Sequence, residues 1–385
     1  MGDNVAGTDA SAGMHLEATL AGAYYCDLGV LEREWERIFQ RSWICAGREE
    51  RAAAPGQYFT LAVGRESVLV VRDRDGHLRA FYNVCRHRGA RLCPAEEGRL
   101  KGAVSCTYHA WTYSLDGRLI GTPHLSGGES FPREDFSLVP VALETWGGFI
   151  FINLEGERAA PLAQHLGEAP ERLKRYPLAS LKSASRQTYE AGCNWKILVE
   201  NYQECYHCPG VHPELCDLVP LYRKGIVDAS DSDVVAYFRE GAATFTQSGA
   251  TRRPFLSGLN DAEKRKYDGE MIVPTMMLNL FPDYVQYRVL WPLAPGRTRI
   301  VTEWLFEPST MAREDFDPGD AIEFINMIAR QDWTVCELVQ QGVASRAHRH
   351  GVYTPQETHS RAFKTWYLDR LENGATPGPQ KPADR

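Results

Sequence analysis

Two short pairs of residues in the first third of the chain each combine a thiol with an imidazole. The first pair is Cys85-x-His87, the second is Cys106-x-x-His109, and 18 residues separate them. Cysteine and histidine at such spacing bind either zinc or an iron–sulfur cluster. The four side chains are therefore candidate metal ligands.

The order of the ligands within each pair separates these two possibilities. Structural zinc sites commonly use pairs of like residues, whereas a Rieske 2Fe-2S cluster needs two thiolates on one iron and two imidazoles on the other. Mixed pairs on two facing loops let each loop give one ligand to each iron. The pattern therefore favours a Rieske cluster over structural zinc.

A second group of possible ligands lies in the stretch NWKILVENYQECYHCPGVHPEL, residues 194–215. If residues 194–207 form a helix, Glu200, Glu204 and His207 share one face, because steps of four and three separate them. The Pro209-Gly210 pair is expected to end that helix and fold the chain back, which lets His212 approach His207. Two histidines on either side of such a break can chelate one metal ion.

A carboxylate on a core-facing helix stripe completes this group. The helix predicted at residues 319–343 has a stripe formed by Ile325, Ile328, Asp332, Cys336, Val339 and Val343. An ionised carboxylate facing a core is unfavourable unless it is paired or bound to metal. One interpretation is that Arg330 or backbone donors satisfy Asp332. The other is that Asp332 joins His207 and His212 in the facial triad that holds Fe(II) with open coordination positions.

The composition and net charge limit the kinds of partner and the cellular compartment expected for this chain. The chain has 385 residues, enough for two domains, and its net charge of −7 argues against nucleic acid or an anionic membrane as a partner. We predict no secretory signal and no membrane span, because neither pattern occurs in the sequence. Ten cysteines gathered near histidines predict reduced thiols and metal ligands in a cytoplasmic protein.

The hydrophobic pattern predicts the elements that carry the ligands. An amphipathic helix is predicted at residues 30–43 from the spacing of Leu31, Trp35, Ile38 and Phe39. Residues 56–153 alternate short apolar runs with turns, as in an all-β domain carrying both thiol–imidazole pairs. Strands predicted at residues 183–192 and 272–307, with helices at 194–207 and 319–343, indicate an α+β domain.

Several motifs resemble one family over nearly the whole chain. CRHRG and CTYHAW surround the first ligands, and ENYQECYH, NLFPDYV and RQDWTVCELVQQG surround the second group. Together they resemble the large (alpha) subunit of the Rieske non-haem iron oxygenases. The resemblance implies an α+β protein with an all-β Rieske domain and a helix-grip catalytic domain, a curved antiparallel sheet with a long helix. The expected segments are an N-terminal helical segment on the catalytic domain (1–43), a Rieske domain (44–155), a catalytic domain (156–373) and a disordered tail (374–385).

The resemblance also implies how such an enzyme works. Cys85, His87, Cys106 and His109 would hold the 2Fe-2S cluster, while the second group would hold a mononuclear Fe(II) that activates O2. Electrons from NAD(P)H would arrive through a separate flavin or iron–sulfur reductase. The family forms head-to-tail homotrimers, in which a carboxylate at the position of Glu204 links the iron site to a cluster histidine of the neighbouring subunit.

The resemblance leaves the substrate open. Glu at position 204 and the text around it resemble the oxygenases of quaternary ammonium compounds, which implies oxidative N-demethylation or another mono-oxygenation of a small molecule. A cation–π cage for a trimethylammonium group is one possible role for Tyr202, Tyr206, Tyr284, Tyr287 and Trp291. Hydroxylation of an aromatic ring, by a mono- or dioxygenase, is the alternative. A Rieske electron carrier and a helix-grip ligand-binding protein each explain only part of the chain.

Overall fold

A computed structural model of the protein describes residues 16–125, 131–227 and 236–374. Of the disordered tail predicted at residues 374–385, residues 375–385 lie outside the described residues. No helix in the described ranges is both long enough and apolar enough to cross a membrane.

The strands and helices have the following bounds. The strands are β1 (Ile44–Arg48), β2 (Gln57–Val63), β3 (Glu66–Arg72), β4 (Leu78–Tyr82), β5 (Glu97–Arg99), β6 (Ala103–Ser105), β7 (Thr112–Ser114), β8 (Leu119–Gly121), β9 (Pro140–Trp146), β10 (Phe149–Asn153), β11 (Lys182–Ala191), β12 (Asp268–Ile272), β13 (Met276–Leu280), β14 (Val285–Ala294) and β15 (Arg297–Phe306). The helices are α1 (Ala23–Cys26), α2 (Leu28–Glu34), α3 (Leu162–Leu166), α4 (Ala169–Arg172), α5 (Trp195–Tyr202), α6 (Cys208–Val211), α7 (Pro213–Leu218), α8 (Pro308–Met311), α9 (Gly319–Val343) and α10 (Thr358–Asn373).

The first ten strands form the all-β part of the molecule. They build a seven-stranded sheet in the order β1-β10-β9-β4-β3-β2-β5 and a three-stranded sheet in the order β6-β7-β8. A turn at Asp75-Gly76 joins β3 to β4, and Asp73 accepts hydrogen bonds from the backbone N–H groups of Asp75 and His77. Strand β1 was not predicted, because its continuous burial has no alternation to mark it.

The last five strands form the sheet of the second domain. They pair antiparallel in the order β11-β15-β14-β13-β12. The long helix α9 packs on this sheet, where Phe324 and Ile328 share one apolar cluster with Trp304 of β15. The predicted α+β fold with a helix-grip domain is therefore confirmed, and α9 has the bounds expected from the sequence.

The N-terminal segment packs on the second domain. The amphipathic helix predicted at residues 30–43 is shorter than expected: α2 ends at Glu34 and a π-helical turn, Trp35–Phe39, follows it. Glu34 is fully buried and accepts hydrogen bonds from Lys196 Nζ (2.5 Å), Trp195 Nε1 (2.8 Å) and Tyr367 Oη (2.6 Å). These contacts tie α2 to the start of α5 and to α10, and so fix the helix that precedes the candidate iron ligands.

Candidate active site

Two loops of similar shape carry the first four candidate ligands. Cys85 and Cys106 are each 3% exposed, within a cluster of buried apolar side chains. The first loop is closed by a hydrogen bond from the N–H of Gly89 to the carbonyl of Cys85 (3.0 Å), and the second by one from Ala110 to Cys106 (2.9 Å). Gly89 and Ala110 both have positive φ, 74° and 55°. Each thiol is thus held at the base of a tight turn.

The imidazoles of the same loops lie outside the two thiols. The rings of His87 and His109 have centroids 4.7 Å apart, and His87 stacks on Trp111 at 4.8 Å. His87 is exposed and His109 is half-buried next to the exposed Tyr108. Two buried thiols with two imidazoles towards the surface fit a Rieske cluster, whose histidine-bound iron then lies where electrons can enter or leave.

The second group of ligands converges in space. Single ligand atoms of His207, His212 and Asp332 all lie within 4.8 Å of one another. Asp332 Oδ1 is 2.8 Å from His212 Nε2 and 3.5 Å from His207 Nε2. Neighbouring ligand atoms on an octahedral ion with bonds near 2.1 Å lie about 3 Å apart. Two nitrogens and one oxygen in this arrangement fit a mononuclear metal ion with open positions.

Negative charge surrounds the imidazole of His207. Burial disfavours its charged form, but hydrogen bonds with Asp332 and Glu204 outweigh burial and raise its pKa to about 9. Burial also disfavours the charged form of Asp332, which by itself would raise the pKa of that carboxyl group. The hydrogen bonds from His207 and His212 outweigh burial and hold the pKa well below its usual range. The group therefore attracts positive charge, whether a proton or a metal cation.

The helix before these ligands is shorter than predicted. Helix α5 ends at Tyr202, so Glu204 and His207 lie in a turn and do not share a helix face with Glu200. Glu204 Oε1 accepts a hydrogen bond from His207 Nδ1 (2.6 Å), and Oε2 accepts one from the backbone N–H of His207 (3.2 Å) and another from Tyr206. Glu204 was predicted to link two subunits, and in this chain it supports the first histidine of the group.

The chain reversal and the cysteines nearby also differ from expectation. Pro209-Gly210 does not end a helix, because both residues lie inside the short helix α6. Cys205 and Cys208 were expected to be reduced packing residues, but they form a disulfide that encloses Tyr206 and His207. The remaining eight cysteines, all within described ranges, are free. Cys205 lies in the turn after α5 and Cys208 begins α6, which places their Cα atoms 4.9 Å apart.

The apolar stripe of α9 is less continuous than predicted. Ile325, Ile328 and Cys336 are buried, but Val339 is 47% exposed. Val343 is again partly buried against the core, and the carboxylate of Asp332 is 15% exposed. Sequence reasoning found the right face of the helix at Asp332 but did not find the exposure of Val339.

Glu200 points away from this group of ligands. Its carboxylate accepts hydrogen bonds from Tyr25 Oη (2.8 Å) and Tyr353 Oη (3.2 Å). Burial is the main cause that raises the pKa of Glu200 from 4.5 to about 7. Glu200 is thus a carboxyl group separate from the ligands, and burial favours its neutral form.

Glu200→Gln is expected to stabilise the protein at pH 8 and to leave it nearly unchanged at pH 5. The folded state binds the Glu200 proton more tightly than the unfolded state, so the wild-type chain loses stability as pH rises from about 4.5 to 7, by about 3 kcal/mol in total. Glutamine does not titrate and retains both tyrosine contacts. Urea unfolding of both chains at the two pH values measures the difference, and parallel pH dependence would contradict it.

The aromatic side chains proposed as a cage lie on different surfaces. Tyr287 packs against Phe149 of the all-β domain with ring centroids 5.0 Å apart, and Trp291 lines a cleft on that same side. Tyr206 is 55% exposed, whereas the Tyr202 hydroxyl donates to the carbonyl of Leu278 (2.8 Å). Tyr284 is fully buried, so these five side chains do not form one cage.

A different aromatic cluster packs against the helix that carries Asp332. Phe245 has its ring centroid 5.0 Å from Tyr267, 4.9 Å from Phe281 and 5.9 Å from Phe324. Phe324 lies eight residues before Asp332 on α9, about 12 Å along the helix axis and on the same broad face. Burial raises the pKa of Tyr267 to about 12, and the charge of Asp332 contributes to that shift. Sequence reasoning missed this cluster because its members come from separate segments.

Comparison with protein families matches both parts of the chain. A model described as the ring hydroxylating alpha subunit (catalytic domain) matches residues 178–373, and one described as the Rieske 2Fe-2S domain matches residues 42–132. The glycine betaine monooxygenase oxygenase subunit of Pseudomonas aeruginosa is 30% identical, over 92% of this chain and 89% of its own length. The carnitine monooxygenase oxygenase subunit of Escherichia coli K12 is 32% identical, with 86% of each chain covered.

Solved structures match over similar lengths. The quaternary ammonium Rieske monooxygenase CntA in complex with gamma-butyrobetaine is 29% identical, with a TM-score of 0.73 and 93% of this chain and 96% of that chain covered. Naphthalene 1,2-dioxygenase from Rhodococcus is 20% identical with a TM-score of 0.71, which shows the shared fold alone. The match covers 92% of this chain and 94% of the dioxygenase.

Proposed function

Because this chain belongs to the ring-hydroxylating alpha subunits, the oxygenase components with a Rieske domain, we propose that it oxidises an N-methyl group of a quaternary ammonium compound. The observation that carries the proposal is the convergence of His207, His212 and Asp332, together with an aromatic cluster that packs against the same helix α9. Relatives at 30% and 32% identity that bear the names of glycine betaine and carnitine monooxygenases support this class of substrate.

The residues of the chain divide the chemistry between two sites. The 2Fe-2S cluster would be held by Cys85, His87, Cys106 and His109. Mononuclear Fe(II) would be held by His207, His212 and Asp332, which together we call the His207 group. When bound, the cluster stores single electrons and the ferrous iron activates O2. Around the second site, buried side chains exclude bulk water, and Glu204 orients the imidazole of His207 through a 2.6 Å hydrogen bond.

The aromatic cluster that packs against α9 suits a trimethylammonium group. A cation held against aromatic rings gains electrostatic attraction from their faces, about 2 kcal/mol where water is excluded. Phe245, Tyr267, Phe281 and Phe324 would supply these faces.

Oxidation of the N-methyl carbon is expected to release formaldehyde. One O2, two electrons and two protons would give an N-hydroxymethyl group and water, and that group separates into formaldehyde, a proton and the tertiary amine. We expect formaldehyde from glycine betaine or carnitine, but no product from 3,3-dimethylbutanoate, in which an uncharged tert-butyl group replaces the trimethylammonium group of glycine betaine. Assays with a generic reductase, NADH and O2 measure this, and a cis-diol or phenol from arenes without formaldehyde would favour ring hydroxylation instead.

The partners and assembly follow from the same proposal. Electrons from NAD(P)H would come through a separate reductase, and the protein would act in the cytoplasm as a head-to-tail homotrimer. Among the described residues, no hydrogen bond joins the cluster loops to residues 201–215 of the same chain. An exposed tyrosine accompanies each site, Tyr108 beside His109 and Tyr206 beside His207, which supports a contact between sites of neighbouring subunits.

A further inference from the structure

The second iron-ligand histidine is held by an amide and not by a carboxylate. His212 is 1% exposed, and its Nδ1 lies 2.7 Å from Oε1 of Gln331, the residue before Asp332 on α9. The other end of the amide, Gln331 Nε2, lies 3.2 Å from Oε2 of Glu214 at the start of α7. A chain of two hydrogen bonds therefore runs from the imidazole to a carboxylate on a neighbouring helix.

The donor and acceptor groups of Glu214, Gln331 and His212 determine the direction of each hydrogen bond. An ionised carboxylate can only accept, so the end of Gln331 that faces Glu214 must be its NH2 group. The carbonyl oxygen of the amide then faces His212, and it too can only accept. The Nδ1 atom of His212 must therefore carry a proton. Nε2 lies 2.8 Å from Asp332 Oδ1, so a metal cation that takes the place of the proton between these two atoms would bind His212 through Nε2.

We propose that Gln331, oriented by Glu214, is a positioning residue that fixes the tautomer and ring orientation of His212 for metal binding. The inference rests on the proposed iron site and adds to it a residue that touches neither metal nor substrate. Without this acceptor, Nδ1 and Nε2 compete for the proton, and an imidazole protonated on Nε2 cannot bind the metal through that atom. Gln331 thus stabilises the form of His212 in which Nε2 is a ligand.

The two histidines donate hydrogen bonds to acceptors of different charge, which gives the Gln331 amide a distinct role. His207 donates directly to the Glu204 carboxylate, whereas His212 donates to a neutral oxygen and the charge of Glu214 is one residue further away. A neutral acceptor orients the ring but attracts the Nδ1 proton less strongly than a carboxylate does. The site therefore keeps a carboxylate beside His207, where the subunit contact is proposed, and an amide on the buried side.

Four variants, each purified with the 2Fe-2S cluster in place, test this role. Gln331→Leu removes the acceptor at similar size, and Glu214→Gln removes the charge that orients the amide. Gln331→Glu combined with Glu214→Gln exchanges the two groups, keeps the net charge and restores both hydrogen bonds. Gln341→Leu is the matched control, because Gln341 is exposed on the same helix. The readout is the dissociation constant for Zn2+ at the mononuclear site, measured by competition with a chelator after removal of the bound metal.

Each pattern of affinities has one meaning. We expect Gln331→Leu to weaken Zn2+ binding by about 10- to 100-fold, Glu214→Gln to weaken it less, and both the exchange variant and Gln341→Leu to bind within about threefold of wild type. Wild-type affinity in Gln331→Leu, or failure of the exchange variant to recover it, overturns the inference. If Gln331→Leu does not fold, the Glu214→Gln variant and the exchange variant decide it. Absence of a Zn2+ site in the wild-type chain overturns the proposed function itself.

Discussion

Asp332→Ala is expected to abolish substrate oxidation and to leave the visible absorption of the cluster unchanged. Asp332 supplies the only carboxylate oxygen of the His207 group and lies 2.8 Å from His212 Nε2. Without it, two neutral imidazoles remain, and we expect affinity for iron to fall by on the order of 100-fold or more. The measured iron content should fall from three irons per chain to two, because the cluster ligands lie on other loops.

Glu323→Ala is the matched control for this substitution. Glu323 lies on the same helix and is exposed, so its loss removes a carboxylate from α9 without touching the His207 group. We expect that variant to keep three irons and its product formation. Turnover near the wild-type rate in Asp332→Ala, or loss of the cluster spectrum along with it, would show that Asp332 is not an iron ligand.

Ligand identity was readable from the sequence because metal chemistry restricts residue types and their spacing. Mixed thiol–imidazole pairs indicated a Rieske cluster, and Asp332 stood out as a charge on an apolar stripe. The structure brings His207, His212 and Asp332 together as that reasoning required. Their roles as ligands, like the domain boundaries at residues 43, 155 and 373, remain predictions for experiment.

Local conformation near the site was less predictable because tertiary contacts decide it. The periodicity of residues 194–207 fits a helix, yet α5 ends at Tyr202, and Glu204 uses its carboxylate to cap the following turn. Glu200 is directed to Tyr25, which is 175 residues away in sequence. Gln331 was missed for the same reason, since a glutamine beside Asp332 has no pattern that reveals its contact with His212.

Glu204→Gln is expected to retain both metals but to slow reoxidation of the reduced cluster by on the order of 100-fold. The two carboxylate oxygens accept from His207 Nδ1 (2.6 Å) and from the backbone N–H groups of Tyr206 and His207. Glutamine offers one oxygen for these donors, so the hydrogen bonds that orient His207 are disrupted, and with them the proposed link to the neighbouring subunit. Stopped-flow absorption of the reduced cluster, mixed with O2 and substrate, measures the rate, and Glu200→Gln serves as the matched control.

Mixed trimers test whether Glu204 acts between subunits. A Cys85→Ser chain lacks the cluster but keeps the iron ligands, and an Asp332→Ala chain has the reverse defect, so each is expected to be inactive alone and active when the two are assembled together. In such mixtures Glu204→Gln should abolish the recovered activity when it is placed in the Cys85→Ser chain, because that chain holds the iron. Placed in the Asp332→Ala chain, the same substitution should have no effect. Equal loss from either placement would rule out transfer from the cluster of one subunit to the iron of the next.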